Sequence, residues 1–148
     1  MADIIIAPMQ YENLNAVAAL ELQCFSTPWS RQSFKDAIDS DNYEYVAAIT
    51  SEGALVGYAG MQVVLDEAEI TNIAVDGQLR NRGIASKLLE ALVTLCARRG
   101  VKYLHLEVRE SNEAARHLYE KKGFEIDGMR KNFYQKPTEN AVLMTKIL

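Results

Sequence analysis

The sequence predicts a mixed α/β domain with helices on both sides of one sheet. Apolar and alternating runs of strand length are interleaved with segments of helical period, in the order β-α-α-β-β-β-α-β-α-β-β. The chain has 148 residues, enough for one ordinary domain with its own core and too few for two. Apolar residues make up 49% of it and charged residues 24%, the balance of a globular rather than a disordered chain. No repeat, linker or low-complexity stretch divides it, so residues 1–148 read as one domain.

Each element has its own signal. Asp3 to Ala7 is a short apolar run closed by Pro8, which suits an opening strand. From Asn13, Leu14, Val17, Ala18, Leu20 and Leu22 recur at helical spacing, and Thr27-Pro28-Trp29-Ser30 ends that helix. Ser30 can cap a second helix with Phe34, Ala37 and Ile38 on its apolar face. Tyr43 to Thr50 is aromatic and β-branched, and Ser51-Glu52-Gly53 suits a hairpin turn. Leu55 to Leu65 and Glu67 to Val75 read as two long strands around Asp66. Ile84, Leu88, Leu89, Ala91, Leu92, Leu95 and Cys96 give the next helix a broad apolar face, with Gly100 as its left-handed stop. Leu104, Leu106 and Val108 alternate along Tyr103 to Arg109, as in a half-buried strand. A shorter helix is expected from Ser111 to Lys122, with Leu118 and Ala114 inward, ending at Gly123. Phe124 to Ile126 and Ala141 to Ile147 are the last predicted strands.

Composition excludes several functions. A net charge of −4 argues against a protein that lives on nucleic acid. Cys24 and Cys96 are the only cysteines and fit no metal spacing, so a reducing compartment and no metal site are expected. The stretch MADIIIAPMQ has no basic region ahead of a long apolar run, so no signal peptide is expected. No apolar run approaches the ~20 residues that a membrane span needs. The expectation is a cytoplasmic protein without a membrane or direct nucleic-acid partner; a monomer is compatible with the sequence, which does not fix the oligomeric state.

The stretch QLRNRGIASKLLE, Gln78 to Glu90, places two arginines and a glycine where a helix begins. A helix N-terminus is already the positive end of the dipole, so stability alone favours Asp or Glu there. The pattern makes sense if an anion docks on the turn. Arg80-Asn81-Arg82-Gly83-Ile84-Ala85 offers free backbone N–H groups, and Gly83 and Ala85 leave room for close approach to the main chain. It is neither a Walker loop nor a dinucleotide fingerprint. Arginines that are simply solvated are the alternative reading of this turn taken alone.

R-x-x-G-x-A directly after a strand ending Asn72-Ile73-Ala74-Val75 resembles the acetyl-CoA signature of the GCN5-related N-acetyltransferases. FSTPWS, LDEAEITNIAV, LEVRESNEAARHLYEKKGF and RKNFYQKPTENAVLM resemble the ribosomal-protein-alanine N-acetyltransferase branch, in order from Phe25 to Met144. The resemblance implies a mixed, mostly antiparallel sheet, splayed near the strands ending at Val75 and Arg109. It implies that Ile73, Ala74 and Val75 lie beside the pantetheine arm of acetyl-CoA and that amides of Asn81, Arg82, Gly83, Ile84, Ala85 and Ser86 hold the pyrophosphate. It makes Asn112 a cofactor contact, Tyr119 the acid that protonates the departing thiolate, and Glu107 the general base. Glu69, where histone-type members carry their glutamate, is the rival base. The implied acceptor is the N-terminal alanine of a small-subunit ribosomal protein, or another peptide, approached through the Phe25 to Trp29 loop and Phe133-Tyr134.

The residues themselves fit that chemistry. Asn112 and Tyr119 are seven residues apart, about −20° in phase, so they share a helix face with the small Ala115 between them. A phenol has a pKa of about 10 and a thiol about 8.5, so hydrogen bonding to a developing thiolate matters as much as proton transfer. An α-amine has a pKa of about 8, against about 10.4 for lysine, so a carboxylate such as Glu107 suffices more readily for an α-amine. Cys24 and Cys96 lack a neighbouring base, which favours direct attack in a ternary complex over an acetyl-enzyme. Three alternatives stand beside this reading: acetylation of lysine or a small-molecule amine, a non-catalytic acyl-CoA-binding module, and an unrelated nucleotide-phosphate binder.

Overall fold

The computed structural model describes residues 3–148, so the first two residues of MADIIIAPMQ lie outside it. In chain order the elements are β1 (Ile4–Pro8), α1 (Leu14–Cys24), α2 (Arg31–Ile38), β2 (Tyr43–Thr50), β3 (Leu55–Val64), β4 (Glu67–Val75), α3 (Ile84–Arg98), β5 (Tyr103–Arg109), α4 (Glu113–Lys121), β6 (Glu125–Tyr134) and β7 (Glu139–Ile147), with single 3-10 turns at Tyr11–Asn13 and Gly77–Leu79. One seven-stranded sheet runs β1-β2-β3-β4-β5-β7-β6. Every neighbouring pair is antiparallel except β4 and β5.

Two cores hold the helices to the sheet. Ile84, Leu88, Leu89, Leu92 and Cys96 of α3 pack on one face against Ala68 and Ile70 of β4 and Leu104, Leu106 and Val108 of β5. A fully buried leucine contributes roughly 1.5–3 kcal/mol by leaving water, so this stripe dominates what fixes α3. On the other face Leu14, Val17 and Leu20 of α1 and Phe34 and Ala37 of α2 pack with Tyr45, Tyr58 and Ala74. Ser30 caps α2 as expected, its hydroxyl accepting from Ser33 N at 3.1 Å.

Several sequence expectations are corrected. Leu22 is 69% exposed, and the inward position it was assigned on α1 belongs to Glu21, which is buried. α4 begins at Glu113, with Asn112 as its N-cap; Ala114 is exposed and Leu118 half-buried, while Tyr119 takes the core position. β6 extends eight residues beyond the predicted Ile126, because its polar run Asp127 to Tyr134 is an edge strand largely exposed to water and carries no apolar alternation.

Two features at the sheet centre position the site. First, β4 and β5 pair only over Glu67↔Tyr103, Ala68↔Leu104 and Glu69↔His105, after which they diverge. Second, β4 carries a bulge: Gly60 pairs with Asn72 and Met61 with Ile70, leaving Thr71 without an opposite residue. The bulge reverses the alternation. Ala68 and Ile70 face α3, but beyond Thr71 it is Ile73 and Val75 that face α3, while Asn72 and Ala74 turn toward α1 and α2. The Tyr45 ring lies where a side chain on Gly60 would project, since a Cβ there would sit 2.1 Å from the ring. From that position the Tyr45 hydroxyl reaches Thr71 Oγ1 and Asn72 Oδ1, both at 2.6 Å.

Candidate active site

The divergence of β4 and β5 opens a cleft of about 550 Å³ that crosses the sheet. Its walls come from both faces. α4 supplies Ala115 and Tyr119, with Asn112 at its cap; β4 supplies Ile70 to Ile73 and β5 Leu106 to Arg109; Phe25 to Thr27, Trp29, Phe133 and Tyr134 form the far end. Asn112, Ala115 and Tyr119 line it together, as their helical phase predicts. Asn112 Oδ1 also accepts from Ala115 N at 3.2 Å, satisfying one of the free amides at the start of α4.

Glu107 projects from β5 into this cleft and is half-buried. Burial holds its carboxyl above the ordinary range; Arg130 opposes that and Glu69 adds to it. The Arg130 guanidinium lies 3.7 Å from Glu107 but is 58% exposed, so water screens its attraction and desolvation prevails. The raised pKa makes this carboxylate a stronger base than a solvated one. Replacing Arg130 by Gln removes the one cation that lowers this pKa, so the Glu107 carboxyl is expected to titrate at higher pH. Titration of the Glu107 carboxyl by NMR in both proteins measures that shift, and a pKa that stays in place or moves down refutes it.

Glu69, the rival base, is exposed, sits one residue before β4 leaves β5, and does not line the cleft. Tyr119 is buried, edge-on to Phe124 at 5.7 Å between ring centroids. Burial raises its pKa, with a further rise from Tyr134, so it is a protonated phenol at neutral pH. Burial also pushes the Cys24 thiol up, which weakens it as a nucleophile despite its place on the cleft wall.

The anion turn has the backbone that its sequence suggests. Asn81 (φ 64°) and Gly83 (φ 79°) are both left-handed, and Gly83 is the N-cap of the fifteen-residue α3. No side chain caps that end and its first turn carries no acidic residue. The first intrahelical bond there is Lys87 N to Gly83 O at 3.1 Å, so the N–H groups of Ile84, Ala85 and Ser86 have no acceptor within the helix. An uncapped dipole with three free donors fits a pyrophosphate. The side chains divide differently: Ile84 is buried in the core and can offer only its amide, and Arg82 lines a separate hollow with Lys87, Thr50 and Ile4. Ile73 lines the main cleft, whereas Ala74 and Val75 are buried beside it.

Three features escaped the sequence reading. The Thr71 bulge had a signal, since apolar residues fall at Ala68 and Ile70 and then at Ile73 and Val75, a break in the two-residue period. Arg109 entered the sequence reading only as the end of a strand. In the structure it donates to Glu139 Oε1 (3.2 Å), Pro137 O (3.0 Å), Gln135 O (2.9 Å) and Ser26 Oγ (3.3 Å), and lies 4.5 Å over the Tyr134 ring. It thereby ties the β6–β7 loop to the α1–α2 loop. Glu21, buried at the end of α1, lines the cleft without any sequence signal. Among the described residues no group of three or more His, Cys, Asp or Glu is disposed to hold a metal ion, and no helix is long and apolar enough to cross a membrane.

Comparison with known proteins agrees with this geometry. Residues 14–124 match the profile of the Acetyltransferase (GNAT) family. The [ribosomal protein bS18]-alanine N-acetyltransferase of Escherichia coli (strain K12) is 38% identical over 143 residues, spanning 94% of each chain. The crystal structure of the ribosomal-protein-S18-alanine N-acetyltransferase from Escherichia coli superposes with a TM-score of 0.88 at 34% identity, covering 98% of this chain and 94% of that one. Arabidopsis thaliana NAA60 in complex with acetyl-CoA has the same fold, with a TM-score of 0.90 at 17% identity and 99% coverage of both chains.

Proposed function

The chain belongs to the acetyltransferase (GNAT) family and is an acyltransferase that uses acetyl-CoA, and from that premise we propose that its acceptor is the α-amine of a protein N-terminus, first an N-terminal alanine of ribosomal protein bS18. The observation that carries this reading is the cleft through the splayed sheet, with Glu107 on its wall, the Asn112–Tyr119 face on one side and an aromatic mouth on the other. Residues 1–148 act as one catalytic domain. They work in the cytoplasm on peptide rather than on nucleic acid or at a membrane.

In this reading the amides of Ile84, Ala85 and Ser86, in the left-handed turn of Asn81, Arg82 and Gly83, hold the pyrophosphate. The edge of β4 at Ile73, Ala74 and Val75, left free by β5, takes the pantetheine arm, with Asn112 opposite. Acetyl-CoA supplies an activated acyl group on a thiol leaving group. Glu107 accepts the proton of the attacking amine, directly or through one water, and its raised pKa matches an amine of pKa about 8 better than an ordinary carboxylate does. Tyr119 donates a hydrogen bond where thiolate charge develops. Phe25 to Trp29 and Phe133-Tyr134 bracket the entering peptide.

The test is acetyl transfer from labelled acetyl-CoA to two peptides. One begins with a free alanine and has its lysines acetylated; the other has a blocked N-terminus and free lysines. Modification of the first alone is expected. Modification of the second alone moves the acceptor to lysine side chains, and binding of acetyl-CoA without modification of either refutes a peptide acceptor.

A further inference from the structure

Glu21 is 2% exposed, and among the described residues no cation pairs with it. Its carboxylate is instead held by three donors. Trp29 N donates to Oε2 at 2.9 Å, the Tyr58 hydroxyl donates to Oε1, and Asn72 Nδ2 is shared between both oxygens at 3.3 and 3.4 Å. Trp29 N–H and Asn72 N–H₂ can only donate, and the Tyr58 hydroxyl donates as well, so both oxygens of Glu21 accept. A carboxamide of the same shape would turn an N–H₂ toward one of the donors, so Glu21→Gln breaks this network at one oxygen. A buried carboxyl is tolerated where hydrogen bonds satisfy its oxygens, as they do here.

Two of those donors belong to opposite walls of the cleft. Asn72 lies on the bulged, diverging part of β4, where its Oδ1 accepts from Tyr45. Trp29 ends the loop that leaves α1, and its ring packs on Phe34 at 5.3 Å and Tyr45 at 6.1 Å. Glu21 itself lines the cleft between them. We propose that Glu21 is a positioning residue for the acceptor: its carboxylate fixes the 25–30 loop against the β4 bulge, and so sets how the incoming amine is held relative to Glu107. It is assigned no contact with the reacting atoms. The kinetic part of its test rests on the acceptor proposed above; the spectroscopic part does not.

Trp29 is the chain's one tryptophan, so its fluorescence reports the loop directly. In Glu21→Gln the acceptor-peptide KM is expected to rise about tenfold or more while acetyl-CoA KM and Kd stay within about twofold. Acrylamide quenching of Trp29 is expected to increase about two- to threefold as the loop loosens. Unchanged quenching with an unchanged acceptor KM overturns the proposal. So does a parallel loss toward both substrates with a lowered unfolding temperature, the signature of a merely structural residue. If Glu21→Gln does not fold, hydrogen exchange on the wild-type protein decides: the Trp29 amide should exchange about a hundredfold more slowly than those of Ser26 and Thr27, and equal rates refute the anchor. If the wild-type protein leaves the alanine peptide unmodified, the acceptor reading fails, yet quenching and exchange still judge the role of Glu21 in the loop.

Discussion

Glu107→Gln is expected to lower turnover on the alanine peptide by about 10²- to 10³-fold while acetyl-CoA affinity stays within about twofold, because the proposed role is positioned proton transfer, which is worth that much, and not cofactor binding. The carboxamide keeps the volume and cannot take a proton. Steady-state kinetics with a separate CoA-binding titration check the split. The pH profile supplies a second check. A base whose pKa burial has raised is active only above that pKa, so the wild-type rate falls as pH drops through it. Glu107→Gln removes that limb and leaves the titration of the amine alone. Glu69→Gln should change turnover little: Glu69 raises the Glu107 pKa from a distance and stands outside the cleft. A large loss in Glu69→Gln with an active Glu107→Gln would exchange their roles.

Tyr119→Phe is expected to lower kcat about 10- to 100-fold with little change in acetyl-CoA affinity. The ring stays packed on Phe124 and only the hydroxyl is lost, so the fold should survive. Burial has moved this phenol's pKa further above that of a thiol, which makes complete proton transfer to the leaving group less favourable than reference values suggest. In the proposed role its contribution is then a hydrogen bond that strengthens as negative charge develops. Since the phenol stays protonated through the neutral range, the variant should keep the wild-type acid limb at a uniformly lower rate. Equal losses in kcat and in acetyl-CoA binding would make Tyr119 a binding group.

The layout of the site was legible in different degrees for physical reasons. The turn at Asn81 to Ser86 could be read because a glycine and free amides at a helix start are local features of consecutive residues. The Asn112–Ala115–Tyr119 face could be read because helical phase depends only on spacing. Glu107 could be placed on the polar face of its strand by alternation, but its burial could not, since that depends on the distant Phe25–Trp29 and Phe133–Gln135 segments that wall the cleft with it. The long β6 was missed because an exposed edge strand carries no apolar period.

By itself, then, the sequence determined the element order, the buried faces of α3 and β5, the shared phase of Asn112, Ala115 and Tyr119, and the resemblance carried by the motifs. The faces and phases among these are set within a turn or two of chain by sterics and periodicity. Only the tertiary structure decided that Glu21 is buried among Tyr58, Asn72 and Trp29, that Arg109 joins two loops, that the Thr71 bulge turns Asn72 toward α1, and that β4 parts from β5 after Glu69. Each of these joins residues distant in the chain. A buried carboxylate or a bridging guanidinium is stable only where several such segments converge to satisfy it, and that convergence is a property of the packed fold.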